Sequence, residues 1–247
     1  MPDREAFERA QKKILEATKP RLGIGTLAEK SIHAILKNYY DIDDDHQEIP
    51  VENYVADIYH DGKIIEIQTR QLGKLREKLK TFLPLYQVTV VHPITMQKTL
   101  IWLDGETGLF SKMRKSPKKG NVYMAFPELY KIKMFLKDPN LKLKLVLLAV
   151  EEYRLVNIGD WNRDTESTTY DKIPTAIVEE VEINCLQDYM QFVPSELDGP
   201  FTSRRFAKAA NISLELAQAT LNILYYVGTI TRVGKIGNQY LYEVLDI

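Results

Sequence analysis

The sequence has little cysteine, little net charge and no long apolar run. A single cysteine, Cys185, excludes an internal disulfide and a cysteine-based zinc cluster. The formal net charge of -1 means that contact with nucleic acid must come from local basic patches, because there is no global positive field. The most apolar stretch, Leu141 to Val150, contains Lys142 and Lys144 and is too short to span a bilayer.

The N-terminus also lacks the apolar segment of a signal peptide, since it is charged from the third residue. Hydrophobic residues make up 45% of the chain and charged residues 27%, which is typical of a folded globular protein. The 247 residues allow one large domain or two modest ones. We therefore expect a cytoplasmic protein with no membrane partner.

The first half of the chain predicts helices alternating with strands. In order, the predicted elements are helices over 3–18 and 26–40, strands over 48–51, 54–59 and 63–69, a helix over 72–83 and strands over 86–92 and 99–103. Thr26 is the expected N-cap of the second helix, with Glu29 as its capping-box partner, and Pro93 is expected to end a strand. This order predicts an α/β (α+β) fold with a mixed sheet flanked by helices.

The middle of the chain is less informative. Residues 105–121 predict a basic loop, either solvated or in contact with phosphate. A helix over 126–136, a strand over 143–152 and an irregular segment over 160–170 are expected next. We interpret 141–184 as a structural link between two domains.

The C-terminal part has the element order of a winged helix-turn-helix. Helices are predicted over 202–210 and 213–227, followed by strands over 230–233 and 239–244. The expected domains are residues 1–184 and residues 185–247. Such a module binds DNA, or it serves protein contacts and dimerisation, so a homodimer is one expectation.

The turn Asp61-Gly62 fixes the register of the hairpin over 54–69, because two-residue turns of this type join adjacent strands directly. Paired positions then sum to 123, which places Asp57 opposite Glu66. Side chains alternate between the faces of a strand, so Gln68 is expected on the same face as these two acids. The opposite face is expected to be apolar and to carry Ala56, Ile58, Ile65 and Ile67.

Two carboxylates directly opposite one another repel, and a divalent cation would offset that repulsion. Magnesium is typically held by one or two carboxylates, waters and phosphate oxygens of the substrate. Asp57 and Glu66 are therefore the predicted ligands of Mg²⁺ or Mn²⁺. A metal held in this way suits the hydrolysis of phosphodiester bonds.

The spacing of Asp57 from Glu66-Ile67-Gln68, after a helix bearing Glu29, resembles the PD-(D/E)XK nuclease superfamily. The order helix, three strands, helix, strand from about Thr26 to His92 is also similar to that superfamily's restriction-endonuclease-like core. The resemblance implies that Asp57 and Glu66 bind metal, and that Glu29 reaches the metal through water. It also implies nuclease activity. DNA is the expected substrate, and RNA is the alternative.

Gln68 departs from the superfamily, which usually has lysine at this position to orient or activate the attacking water. Glutamine has no positive charge and transfers no proton, although its amide still orients a water. Some groups, such as the competence-protein-like nucleases, are similar in having Glu-x-Gln. Lys63, Arg70 and Lys74 are three candidates for the missing charge.

Three further polar residues fall near this pattern without a settled role. Glu29 has the capping box as its alternative role, and His33, one turn later, is interpreted as structural or solvent-facing. Glu48 lies on the first predicted strand.

Basic residues near the two predicted modules are candidates for binding phosphate. Arg70 and Lys74 begin the helix that follows the carboxylates, where the helix N-terminus adds partial positive charge. In the C-terminal module the candidates are Arg204 and Arg205, on the first helix, and Arg232 and Lys235, on the wing.

We predict a DNA nuclease dependent on magnesium or manganese and guided by the winged helix. Two other classes of function stay open. The first is a non-catalytic DNA-binding or regulatory protein with a degenerate nuclease fold, and the second is a scaffold that binds protein partners.

Overall fold

The computed structural model describes residues 2–17, 30–104, 110–156 and 168–245, which form an α+β structure. The helices are α1 (Arg4–Ala17), α2 (Lys30–Tyr40), α3 (Arg76–Phe82), α4 (Phe126–Leu129), α5 (Ser203–Ala209) and α6 (Leu214–Val227). The strands are β1 (Gln47–Val51), β2 (Tyr54–His60), β3 (Lys63–Ile67), β4 (Gln87–Asp104), β5 (Phe110–Lys115), β6 (Leu141–Val156), β7 (Thr168–Ile183), β8 (Ile230–Ile236) and β9 (Gln239–Val244). Short 3-10 helices precede α3 at Leu72–Leu75 and flank α4.

Seven strands form one mixed sheet, as the element order predicted. The order is β1-β2-β3-β4-β6-β7, and β5 pairs with the far part of β4. β1, β2 and β3 are antiparallel neighbours, whereas β3 with β4 and β4 with β6 are parallel. The parallel step from β3 to β4 requires a crossover, and α3 lies in it.

Helices cover both faces of this sheet. On one face Leu79 and Phe82 of α3 pack with Val88 and Val90 of β4. On the other face Ile32 and Leu36 of α2 pack with the next β4 residue, Val91, and α1 packs on α2 through Phe7 and Ala10. The hairpin of β2 and β3 is therefore buried between α2 and α3.

The predicted end of a strand at Pro93 is wrong, because β4 continues through this residue to Asp104. The carbonyl of Val91 accepts a hydrogen bond from the amide of Gln68 on the β3 side. The main chain of Pro93, two residues later, faces that same side, where β3 has already ended at Ile67. Proline therefore removes no hydrogen bond from the ladder.

The interpretation of 141–184 as a link between domains is also wrong. β6 and β7 are long strands that form the far side of the central sheet. Relative to β6, β7 has an extra residue at Tyr170, Thr175 and Val178. The predicted loop over 105–121 contains β5, which pairs antiparallel with β4, whereas residues 105–109 and 157–167 lie outside the described part.

The C-terminal residues form helix, turn, helix and two-stranded hairpin in the predicted order. Thr202 and Ser213 cap α5 and α6 by accepting hydrogen bonds from Arg205 N and Leu216 N. The hydrophobic core continues across the predicted boundary after residue 184, since the rings of Tyr123 and Phe206 lie 6.0 Å apart.

No helix among the described residues is both long enough and apolar enough to cross a membrane.

Candidate active site

The hairpin of β2 and β3 has the register that the sequence predicted. Tyr59 pairs with Ile64 and Ile58 pairs with Ile65, so both pairs sum to 123. Asp61 and Gly62 form the turn with positive φ angles of 48° and 73°, as a two-residue turn of this type requires. The ladder ends at Ile58 with Ile65, and Asp57 and Glu66 take the next positions on their strands.

Asp57 is held as an anion at this end of the ladder. Its Oδ2 atom accepts hydrogen bonds from the Ile67 amide at 2.8 Å and lies 3.1 Å from Nε2 of His33 on α2. Burial raises the pKa of Asp57, but the His33 hydrogen bond and charge, the Ile67 amide and the charge of Lys78 together lower it below its ordinary value. His33 therefore belongs to the site and does not merely face solvent.

Glu66 is almost fully buried, with 2% of its surface exposed. Burial first, and the negative charge of Asp57 second, raise the pKa of Glu66 to about 7, although Lys78 opposes the shift. The carboxylate of Glu66 thus changes its charge near neutral pH. The two carboxylates lie near each other, because the amide that donates to Asp57 belongs to Ile67, the residue after Glu66.

Lys78 of α3 is the cation at this site, and the sequence interpretation did not single it out. Its Nζ atom lies 2.8 and 3.0 Å from the two oxygens of Glu66 and 2.7 Å from the Val55 carbonyl. These contacts use all three N–H donors of the ammonium group. The signal was present in the sequence, because Lys78 falls between Leu75 and Leu79 on the buried side of a helix, where a lysine needs a partner.

The two acids are therefore held from opposite faces of the sheet, Asp57 by α2 and Glu66 by α3. The expectation that their side chains share one face of the hairpin is wrong, because regular alternation ends where the β2–β3 ladder ends, one position before Asp57. The prediction of one apolar face carrying Ala56, Ile58, Ile65 and Ile67 is wrong at one position, Ala56. Ala56 packs with Ile64 in the core that includes α3, whereas Ile58 and Ile67 pack beneath α2. The physical reason is that helices bury both faces of the hairpin, so apolar side chains are needed on each.

Gln68 follows directly after β3, but its side chain turns along the chain. Its Nε2 atom donates to the carbonyl of Arg70. The main chain of Gln68 is fixed by His92, whose Nδ1 lies 2.7 Å from the Gln68 carbonyl. Burial lowers the pKa of His92, so this histidine is neutral at pH 7 and donates through Nδ1.

The remaining predicted residues near the carboxylates are scattered. Arg70 and Lys74 are exposed, and Lys63 is exposed beside the hairpin turn. Glu48 pairs with Lys37 of α2 and is not part of the carboxylate pair. Glu29 and its predicted capping partner lie outside the described residues.

Known proteins match the part of the chain that contains this site. A family model described as "Domain of unknown function (DUF8091)" covers residues 30–184, more than half of the chain. The chain belongs to this family. Asp57, Glu66 and Lys78 all lie in the DUF8091 segment, whereas α5, α6 and the C-terminal hairpin follow it.

A protein of Treponema pallidum (strain Nichols), named "Uncharacterized protein", is 35% identical to the chain over 129 residues. The aligned segment covers 52% of this chain and 51% of that protein. The chain therefore spans about half the length of this curated relative. No solved structure matches the chain.

Beyond the DUF8091 segment, the predicted basic residues of the C-terminal module fall into two groups. Arg232 lies against the rings of Tyr225 and Tyr240, 4.4 and 3.9 Å from their centroids, and Lys235 lies 4.7 Å from the Tyr240 centroid. Arg204 and Arg205 are exposed on α5, and Arg205 donates to the carbonyl of Asp198. The hairpin thus presents cations and aromatic rings together.

Proposed function

We propose that the chain is a metal-dependent nuclease that hydrolyses phosphodiester bonds in DNA at Asp57 and Glu66. The observation that carries the proposal is the pairing of two carboxylates at the open end of a buried hairpin, with Lys78 beside them. Carboxylates are seldom placed so close in a protein interior unless a cation or a chemical role offsets their repulsion.

The arrangement of the elements supports a restriction-endonuclease-like core. α2, the antiparallel strands β1 to β3, the crossover helix α3 and the parallel strand β4 follow one another as in the PD-(D/E)XK pattern. Asp57 lies on the second strand and Glu66 on the third, as the resemblance requires.

The donor atoms at the site suit magnesium or manganese, because both acids offer hard carboxylate oxygens. Among the described residues, no three His, Cys, Asp or Glu side chains gather into a group that could hold a metal. A cation at Asp57 and Glu66 would therefore rely on water and substrate phosphate for its other ligands, as magnesium commonly does. When bound, the metal would supply an activated water and stabilise charge on the phosphate.

Lys78 supplies the positive charge that Gln68 lacks. By donating to both oxygens of Glu66, it keeps this buried carboxylate ionised more often than burial alone would allow. His33 holds Asp57 in position from the other face of the sheet. Gln68, with its amide directed to the Arg70 carbonyl, would have to rotate before it could orient a water.

Replacing Lys78 with methionine should slow cleavage by roughly tenfold to a hundredfold, because the charge supporting Glu66 is lost. The pH–rate profile should also move to higher pH, since Glu66 becomes harder to ionise. Lys78→Arg should restore most of the rate, and Lys80→Met, at an exposed position of the same helix, should change little. Equal rates in Lys78→Met and Lys80→Met would exclude this role.

We infer that the C-terminal module is a winged helix that guides the enzyme to DNA. α5 and α6 form the helix-turn-helix and β8 with β9 forms the wing. Arg232 and Lys235 place positive charge on the wing beside Tyr240, and cations with aromatic rings are suited to phosphates and bases.

Arg232→Ala should weaken DNA binding by about threefold to tenfold and reduce the salt dependence of binding by about one phosphate contact. The rate of cleavage at saturating DNA should stay the same, because the wing does not touch the carboxylates. Fluorescence anisotropy with labelled DNA measures the first effect. Arg4→Ala, which removes an exposed arginine from α1, is the matched control, and an equal loss in both variants would contradict a specific role of the wing.

A non-catalytic DNA-binding protein with a degenerate nuclease fold is the second candidate. It is favoured by Gln68, whose side chain donates to a main-chain carbonyl instead of pointing to the carboxylates. In that case DNA binding would survive without any requirement for metal.

Labelled single-stranded, duplex and branched DNA, incubated with the protein in magnesium, manganese or EDTA, would separate these functions. The nuclease proposal predicts cleavage that depends on metal. Binding without cleavage would favour the regulatory protein. If the protein neither bound nor cut DNA, a scaffold for protein partners would be favoured.

A further inference from the structure

A second group of charges lies on the long strands of the sheet, away from Asp57 and Glu66. It consists of Lys98 on β4, Glu152 and Arg154 on β6, and Lys172 on β7, and is called the Glu152 cluster below. Lys98 Nζ and Arg154 Nε lie 3.0 and 2.7 Å from oxygens of Glu152, and Lys172 Nζ lies at 3.8 Å. The Glu152 side chain is 3% exposed, whereas the three cations are each 27–28% exposed.

The sheet brings these residues together by register. Glu152 pairs with Lys172 on β7, and Lys98 pairs with Val150, the neighbour of Glu152 by two positions on β6. Val150 packs beneath α2, and Glu152 and Arg154 continue the same face of β6. The cluster therefore lies on the α2 side of the sheet, next to the apolar residues that pack beneath α2.

Within the described residues, three cations surround the single carboxylate of the Glu152 cluster. The charge of Arg70 also acts on Lys172. Burial lowers the pKa of Lys172, and the charges of Arg70, Lys98 and Arg154 lower it further, while Glu152 raises it. Partly buried cations that repel one another would gain from an added anion.

Arg70 follows the candidate active site in the chain and acts electrostatically on this cluster. It lies three residues after Ile67, whose amide binds Asp57, and its charge reaches Lys172. Arg70 was predicted from the sequence to bind nucleic acid, but Lys98, Arg154 and Lys172 were not.

We propose that the Glu152 cluster binds a backbone phosphate of the DNA strand that is cut at Asp57 and Glu66. This inference rests on the proposed nuclease function. Glu152 orients Lys98, Arg154 and Lys172 from below, and the exposed part of each cation meets the phosphate oxygens. Arg70 binds the strand between the cluster and the carboxylates.

The test is DNA affinity in EDTA, measured by fluorescence anisotropy with labelled single-stranded and duplex DNA, so that cleavage plays no part. Lys172→Gln and Lys98→Gln should each weaken binding by about tenfold at low salt and reduce the salt dependence by about one phosphate contact. Lys172→Arg should keep the affinity. Lys144→Gln is the matched control, because Lys144 pairs with Glu182 across the same two strands.

Thermal unfolding of each variant separates binding from stability. Weaker binding in Lys172→Gln and Lys98→Gln, with Lys144→Gln and Lys172→Arg like the wild type, supports the proposal even if no DNA is cleaved. Lower melting temperatures with unchanged DNA affinity would overturn it and leave the cluster as a structural ion network. Inorganic phosphate that binds the wild type in calorimetry, without any difference in DNA affinity between variants, would also overturn it. Failure of the nuclease proposal appears separately, as wild-type binding without metal-dependent cleavage.

Discussion

Asp57→Asn and Glu66→Gln are each expected to lower metal-dependent DNA cleavage by at least about 10³-fold, because each removes one of two carboxylate ligands that act as a unit. Both substitutions preserve side-chain size, so the hairpin should keep its register. DNA affinity in EDTA should stay the same or rise, since each variant has one negative charge fewer. Cleavage of labelled DNA and anisotropy in EDTA measure the two effects.

Glu182→Gln is the control for this experiment, because Glu182 is a carboxylate in an ion pair with Lys144 on distant strands. It should cut DNA at the wild-type rate. If Asp57→Asn and Glu66→Gln cut as fast as Glu182→Gln, the active site lies elsewhere. If all three variants and the wild type bind DNA but none cuts, the chain is the regulatory protein.

The second large effect is a pH dependence centred on Glu66. Burial and the charge of Asp57 raise the pKa of Glu66 from 4.5 to about 7, so the folded state prefers the protonated acid. The resulting stabilisation is fully present below pH 4.5 and is lost as the pH rises to 7. This loss is on the order of 3 kcal/mol in the metal-free protein. Above pH 7 the carboxylate is charged in both the folded and unfolded states, and the contribution is constant.

Unfolding of the wild type and of Glu66→Gln in EDTA between pH 4 and pH 8 isolates this contribution, because every other titrating group is shared. The wild type should lose stability relative to the variant over this range. Magnesium affinity should change in the opposite direction, rising about a hundredfold from pH 5 to pH 8 as the proton leaves. A pH-independent difference between the two proteins would show that Glu66 is ionised throughout.

The hairpin and its register were predictable because the information is local. Asp61 and Gly62 fix the turn and the pairs up to Ile58 with Ile65, which brings Asp57 and Glu66 to facing positions just beyond the ladder. Period-two alternation did not predict the faces of these two side chains, since Asp57 meets α2 and Glu66 meets α3. The capped helices α5 and α6 were equally accessible, since Thr202 and Ser213 precede them. The sequence also predicted the crossover helix that follows Gln68.

Features that depend on distant partners were not predicted. β7 combines Pro174 with acidic residues and three extra residues that interrupt period-two alternation, so it has no strand pattern in the sequence. Lys78 meets Glu66 only because the packing of Leu79 sets the rotation of α3. The Glu152 cluster depends on the parallel pairing of β4 with β6, which no local signal specifies.

The edges of the central sheet determine how the protein avoids self-association. A strand with unpaired N–H and C=O groups is a template for pairing with another chain. On β1, Pro50 has no N–H group to donate to another strand. On β5, charge is supplied by Lys112, Arg114 and Lys115. On β7, extra residues interrupt the strand, and Gln11 of α1 donates a hydrogen bond to the Pro174 carbonyl. Each edge thus resists aggregation by a different means, so we expect copies of the chain, if they associate, to meet through helices or the C-terminal hairpin and not by extending the sheet.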